Sequence, residues 1–296
     1  MFNTRWMFLV LAMFCFLSIM ELTASENITV NNFSSIEKKI NALGKKYGVK
    51  NVIVAYDVDC TLVTQADNFA SDIWLNWQLD LLANNPNSPF LINKDFEKIL
   101  TDQRIIQLYT KVYPTEENIP EIIKKLQTDG FVTIALTARG PENRNSTELQ
   151  LKKCGFNFND GSLSYGFPGT YLPYDVNDPK RSGLTAEEIN NFNLKAPKYV
   201  SFANGIMMVA GQNKGIMLKT LLQKTGKEFK TVVLVDDGKK NTDNMYNVYK
   251  ASDIDVNCFR YSYDDALKKQ FDLSNKNNVI KQWREYKTTI DTVFGK

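Results

Sequence analysis

NVIVAYDVDCTLVTQ, residues 51–65, carries an apolar run from Val52 to Tyr56 straight into two acids, Asp57 and Asp59, with Thr61 close behind. A continuous apolar run of that length, closed by polar residues, is the pattern of a strand buried on both faces. Aspartate is disfavoured in strands and an unpaired buried carboxylate is costly, so two acids at one strand end ask for a chemical reason.

Similar apolar runs return at residues 131–136, 231–235 and 254–261, and helical patterns fill the gaps between them. IPEIIKKLQTDG, residues 119–130, places Pro120 at a helix start and Gly130 just past its end, then feeds directly into the second run. NKGIMLKTLLQKTG, residues 213–226, leads into TVVLVDD in the same way. FSSIEKKINALGKKYG, residues 33–48, sets Phe33, Ile36, Ile40 and Leu43 at helical spacing behind a Ser34 or Ser35 cap. Apolar strands alternating with helices predict an α/β three-layer sandwich around a mostly parallel, Rossmann-like sheet. In such sheets ligands gather beyond the carboxyl ends of the strands, where the polar residues of this chain fall.

Two segments depart from the alternation. Residues 64–118, with Trp74, Trp77, Leu81, Phe96 and Leu108, look helical and exceed what a crossover needs, which makes them a candidate inserted cap. The stretch from about 156 to 198 is rich in Gly, Pro, Asn and Asp, and its Tyr165, Phe167, Tyr171 and Tyr174 could line a substrate mouth or simply anchor the loop. After it, Asn204-Gly205 between apolar arms signals a hairpin.

Composition narrows the chemistry. The 296 residues, 43% of them hydrophobic, suffice for a sizeable core, and a net charge of +3 spread over scattered lysine pairs reads as solvated helix faces, not a nucleic-acid surface. The chain has no histidine. Histidine general bases, Ser-His-Asp and Cys-His nucleophiles and histidine-bound zinc are excluded, so any acid–base or metal work falls to carboxylates. At the N-terminus, Arg5, an apolar run over residues 6–20 and the small residues Thr23, Ala24 and Ser25 predict a secretory signal over residues 1–25. The run is short of the roughly 20 residues that span a bilayer, so no stable membrane insertion is expected after cleavage, and the mature protein would be periplasmic or secreted. Cys60, Cys154 and Cys258 would remain, too few for a disulfide-stapled scaffold.

Four short motifs, in order, resemble those of the haloacid dehalogenase superfamily of phosphohydrolases: YDVDCT (56–61), IALTARG (134–140), NKG (213–215) and LVDDGKKNTDN (234–244). Together with the leader and the hairpin, they look most like an exported bacterial group of that superfamily catalogued as a domain of unknown function. The resemblance implies a core of residues 26–63 and 119–296 with residues 64–118 as a helical cap. It implies that Asp57 attacks phosphorus and that Asp59 handles the proton while its backbone carbonyl helps hold Mg2+. Like charge from Asp57 would raise the Asp59 pKa unless the metal offsets it. Thr137 and Lys214 would bind the phosphate, with Lys219 a weaker rival for the lysine role. Asp237 would complete the metal set, with Asp236 as a supporting or alternate ligand and Asn241 and Asp243 as outer candidates. Arg139 is a candidate substrate contact, a surface salt bridge being its alternative.

The expected activity is hydrolysis of a phosphomonoester on a small phosphorylated substrate. Two alternatives stand beside it: a catalytically silent interaction or effector protein with a protein partner, and a phosphotransferase to an acceptor other than water.

Overall fold

A computed structural model describes residues 25–161, 163 and 169–295. The expected signal over residues 1–25 lies almost entirely outside the described residues, as do Tyr165 and Phe167. In chain order the strands and helices are β1 (Glu26–Val30), α1 (Phe33–Tyr47), β2 (Val52–Tyr56), β3 (Val63–Gln65), α2 (Asp72–Asn84), α3 (Phe96–Gln107) and β4 (Val112–Pro114). Then follow α4 (Ile119–Thr128), β5 (Val132–Thr137), α5 (Arg144–Lys153), β6 (Gly169–Tyr171), α6 (Ala186–Asn191), β7 (Val200–Ala203) and β8 (Ile206–Met208). The chain continues through α7 (Lys214–Thr225), β9 (Thr231–Asp236), α8 (Lys239–Tyr249), β10 (Asp255–Tyr261), α9 (Asp265–Leu273) and α10 (Asn277–Phe294).

Eight strands form one sheet in the order β1-β10-β9-β2-β5-β8-β7-β6. The pairings from β1 through to β8 are all parallel, and the last two, β8 with β7 and β7 with β6, are antiparallel. The expected parallel α/β sheet is therefore present. Every residue of β2 is buried, and its alternating side chains enter two different cores. Val52, Val54 and Tyr56 join α1, α4 and Leu151 of α5 on one face, while Ile53 and Ala55 join α7, α8 and Leu184 on the other. Helices thus flank both faces, and the apolar runs lack alternation because neither face meets water.

Two local details differ from expectation. The α1 cap is Asn32, whose side chain accepts from Ser35 N at 2.9 Å, not Ser34 or Ser35. Residues 64–118 do contain two helices, but β3 and β4 pair as an antiparallel stem at their base. Their core, built on Ala70, Trp74 and Ile106, includes Phe271 of α9 and Val279 of α10, so the C-terminal helices pack onto this insertion. The hairpin at Asn204-Gly205 forms as expected, with φ of 52° and 69° at the two turn residues. A Cβ on Gly205 would meet the Phe158 carbonyl oxygen at 2.4 Å, so both its conformation and its surroundings call for glycine.

The topology fixes where a site can form. From β2 the chain moves to β5 on one side and later returns through α7 to β9 on the other. The crevice beyond the carboxyl ends of β9, β2 and β5 is the switch point of the sheet.

Candidate active site

Asp57 follows β2 directly, and its backbone N–H donates to Val235 O at 2.9 Å, which fixes the loop against β9. Lys214 opens α7, where Asn213 caps the helix by accepting from Gly215 N at 3.0 Å and Ile216 N at 3.2 Å. Gly215 lets this end of α7 approach α8: a Cβ there would lie 2.9 Å from Val248 Cγ2 and 3.0 Å from Met245 Cα. The Lys214 ammonium then sits between two carboxylates, 2.5 Å from Asp57 Oδ1 and 2.6 Å from Asp236 Oδ2. At 1% exposure it is a buried charge whose side-chain partners are both acids. Burial alone would lower its pKa, but Asp236 and Asp57 outweigh that and leave it raised, so the ammonium stays charged.

Asp236, the last residue of β9, has no exposure at all. Its other oxygen accepts from Gly238 N and Asn241 Nδ2, both at 2.9 Å. Asp237 is held by the motif at the end of β2: its N–H donates to Thr61 Oγ1 at 3.0 Å, while its carboxylate pairs with Lys268 of α9. The carboxylates of Asp57, Asp236 and Asp237 offer oxygens that all lie within 4.8 Å of one another. Burial pushes the Asp57 carboxyl well above the ordinary carboxylate range; Lys214 opposes this, and Asp236 and Asp237 reinforce it. Burial also raises Asp237, against the pull of Lys268. Two lysines face three acids, which leaves the cluster with a net negative charge. An all-oxygen, over-negative donor set of this kind fits a hard divalent cation such as Mg2+.

Asp59 stands apart from that set. Its carboxylate takes a two-pronged grip from Arg139, with Nε to Oδ2 at 2.8 Å and Nη2 to Oδ1 at 2.7 Å. Arg139 Nη1 donates to Thr147 Oγ1 at 3.0 Å and Gln150 Oε1 at 2.8 Å. The Asp59 carboxylate is thus not in the carboxylate cluster, and its charged hydrogen-bond partner is a guanidinium, not Asp57. Arg139, only 9% exposed with all three guanidinium nitrogens engaged, does not present itself as a substrate contact, and its salt bridge is buried, not on the surface. Thr137, buried at the end of β5, accepts from Arg139 N at 3.2 Å, a bond within the second motif, which braces the first through the Arg139–Asp59 pair.

Of the rival candidates, Lys219 pairs with Glu188 at 2.6 Å, away from the cluster. Asp243 pairs with Lys239 at 2.6 Å and accepts from Asn27 at 2.8 Å, also away from it, whereas Asn241 supports Asp236. Lys268 escaped the sequence reading. It sits among polar and apolar residues of a C-terminal helix with no motif around it, and the packing of α9 against the insertion brings it to Asp237. A separate cavity of about 680 Å3 opens beside Asn213, lined largely by amides such as Asn191, Asn244 and Asn247; none of the clustered carboxylates lines it.

The family described as "Protein of unknown function (DUF2608)" matches residues 29–294, which include every element of this site. The chain belongs to that family. A search of curated proteins found no match to it.

Proposed function

We propose that this member of the family is an exported, Mg2+-dependent phosphohydrolase of the haloacid dehalogenase type, with residues 64–118 as its cap, cleaving a phosphomonoester through an aspartyl-phosphate. The observation that carries the reading is the pair of bonds from Lys214 to Asp57 and Asp236, which joins three separate motifs at one point beyond the strand ends.

In this reading an Asp57 oxygen attacks phosphorus. The bond from phosphorus to the alcohol oxygen breaks, its electron pair stays with that oxygen, and Asp59 gives it a proton. Asp59 then takes a proton from water as the water attacks the aspartyl-phosphate; the bond to Asp57 breaks, and inorganic phosphate leaves. Lys214 and the Thr137 hydroxyl hold the phosphoryl oxygens as their charge redistributes. Mg2+, when bound by Asp57, Asp236 and Asp237, would offset negative charge on the phosphoryl group. Asp59 can carry a proton only after the Arg139 fork opens, which makes Arg139 a positioning residue for the proton step.

The test offers the purified protein an aryl phosphate and a small panel of phosphate esters with Mg2+ or with EDTA, beside Asp57→Asn. Mg2+-dependent phosphate release, lost in the variant, is expected. Folded protein without metal-dependent release on any ester overturns the reading.

One observation favours the rival reading of a silent interaction protein. Each clustered carboxylate already has a lysine partner, so the cluster needs no substrate to be stable. Phosphotransfer uses the same residues and would appear as a new phosphoester when alcohol acceptors are added.

A further inference from the structure

The cavity of about 680 Å3 beside Asn213 opens between the end of α6, the loop that leads into α7 and one face of α8. Among the described residues, its lining holds six asparagines, one glutamine and two lysines but no carboxylate, in a chain with 33 aspartates and glutamates. Lys240, Asn244 and Asn247 stand at i, i+4 and i+7, so they share one face of α8. Lys250, at the cap of that helix, marks the far end of the groove, about 15 Å along the axis from Lys240.

Some of these amides already have structural work. Gln212 is engaged by Lys198 and Val209, Asn213 caps α7, and Asn241 holds Asp236. Asn244 and Asn247 differ: both reach solvent, both line the cavity, and neither side chain makes a hydrogen bond among the described residues. Lys240 and Lys250 likewise have no ion-pair partner among the described residues. The adjacent lysine shows the contrast. Lys239 pairs with Asp243 four residues on, whereas the residue four after Lys240 is Asn244. Accessible cations and amides therefore share one concavity with no acid to neutralise them.

The volume lies within the roughly 300–1,000 Å3 of ligand pockets, but those are mostly apolar and this one is not. Phe192, the one ring in the lining, is half-buried against the core around α7 and α8, which leaves little platform for a nucleobase. An extended peptide gains specificity from pockets for alternate side chains, and apart from Phe192 the groove has no apolar side chain to form one. A sugar hydroxyl both donates and accepts, as a side-chain amide does, and acidic groups on a sugar chain would meet the lysines in charge-assisted hydrogen bonds. Cations at the two ends with amides between them suit a chain of several sugars better than a single one. We propose that this groove binds a short acidic oligosaccharide, with its hydroxyls on Asn244 and Asn247 and its acidic groups on Lys240 and Lys250. The assignment involves no turnover and stands whether or not the phosphohydrolase reading holds.

Calorimetric titration of the purified protein tests this with trigalacturonate, its methyl ester, tripolyphosphate and pentaglutamate. The ester keeps the hydroxyls without the charge, and tripolyphosphate keeps the charge without the hydroxyls. Trigalacturonate is expected to bind about tenfold more tightly than each of the other three. Replacing Lys240→Ala and Lys250→Ala together should bring acid and ester to equal affinity. Replacing Asn244→Ala and Asn247→Ala together should remove the advantage over tripolyphosphate. All four side chains reach solvent and hold no other residue in place, so an unchanged thermal midpoint is expected in both double variants and shows that they fold. Equal binding of tripolyphosphate reduces the groove to a basic patch and overturns the proposal. Equal or tighter binding of pentaglutamate assigns the groove to an acidic peptide and also overturns it. So does trigalacturonate that fails to bind, or that binds both double variants as it binds the unaltered protein.

Discussion

The Arg139 guanidinium grips both oxygens of Asp59 from inside the protein, and Thr147 and Gln150 hold the guanidinium in turn. This pair connects the end of β5 to the loop after β2 and sets where the Asp59 carboxylate stands before any substrate arrives. Arg139→Ala leaves a largely buried carboxylate without its partner and two polar side chains on α5 without their donor. Loss of one partner of a buried pair typically destabilises by about 3–5 kcal/mol, and the 16% exposure of the Asp59 side chain places this case near the lower end. Urea denaturation measures it. Arg139→Lys keeps the charge but not the fork, so it should recover only part of the loss. Full recovery would mean that charge alone, not two-pronged geometry, holds the loop.

Lys214 occupies the more demanding position, because two buried acids depend on it. Lys214→Met should reduce turnover by about 100-fold or more, the usual effect of removing a single charged stabiliser of a transition state. The same substitution should also lower the thermal midpoint, and Mg2+ should restore part of that loss by supplying positive charge to Asp57 and Asp236. Ligand linkage gives about 2.7 kcal/mol at a concentration 100 times Kd. A midpoint that Mg2+ leaves unmoved in both proteins would argue that the three carboxylates do not hold the ion.

The sequence made β2, β5 and β9 legible because burial on both faces demands largely apolar runs, which all three have, whereas β10 shows through Val256, Cys258, Phe259 and Tyr261 despite Asn257 and Arg260. ENITV of β1 carried no such mark: it pairs only with β10 at the sheet edge and is mostly half-buried. The site divided along the same line. Asp57, Asp236, Asp237 and Lys214 end or begin elements whose periodicity could be read, so their meeting point followed from the topology. The partner of Arg139 could not be read, since it depends on the β2–β5 register, which sets the residues after β5 beside the loop after β2. Lys268 depends on how α9 packs against residues 64–118, a tertiary outcome that leaves no local signal.

Asp72 gives a pH dependence with a definite sign. It faces Asp59 and Asp237 as like charges and Lys268 and Arg139 as opposite ones, and burial leads the rise of its pKa from 3.8 to about 7. Between those values the folded state holds a proton that the unfolded chain has released, so this group favours folding at low pH and loses that contribution as pH rises toward 7. Asp72 is half-buried, and the contribution is discounted for solvent to on the order of 1 kcal/mol. In metal-free protein, Asp72→Asn should flatten stability against pH between about 4 and 7 and leave the variant the more stable of the two at pH 8. Parallel curves for the two proteins would show that Asp72 titrates normally.

Lys268 bears on metal affinity in the opposite sense from Lys214. Its ammonium pairs with Asp237 from the more exposed side of the cluster, where an incoming divalent cation would have to share or displace that contact. Lys268→Met removes both the competitor and a repulsive charge, so Mg2+ should bind more tightly. Unit charges about 4 Å apart near a surface interact by about 4 kcal/mol at most; the 29% exposure of the Lys268 side chain screens this, and the expected net gain is about 1 kcal/mol, roughly fivefold in Kd. Calorimetric titration with Mg2+ at low ionic strength reads this directly, and the difference should shrink in 0.5 M salt as screening grows, at roughly a Debye length of 4 Å. Weaker Mg2+ binding in Lys268→Met would place the lysine among the supports of the metal site instead of against it.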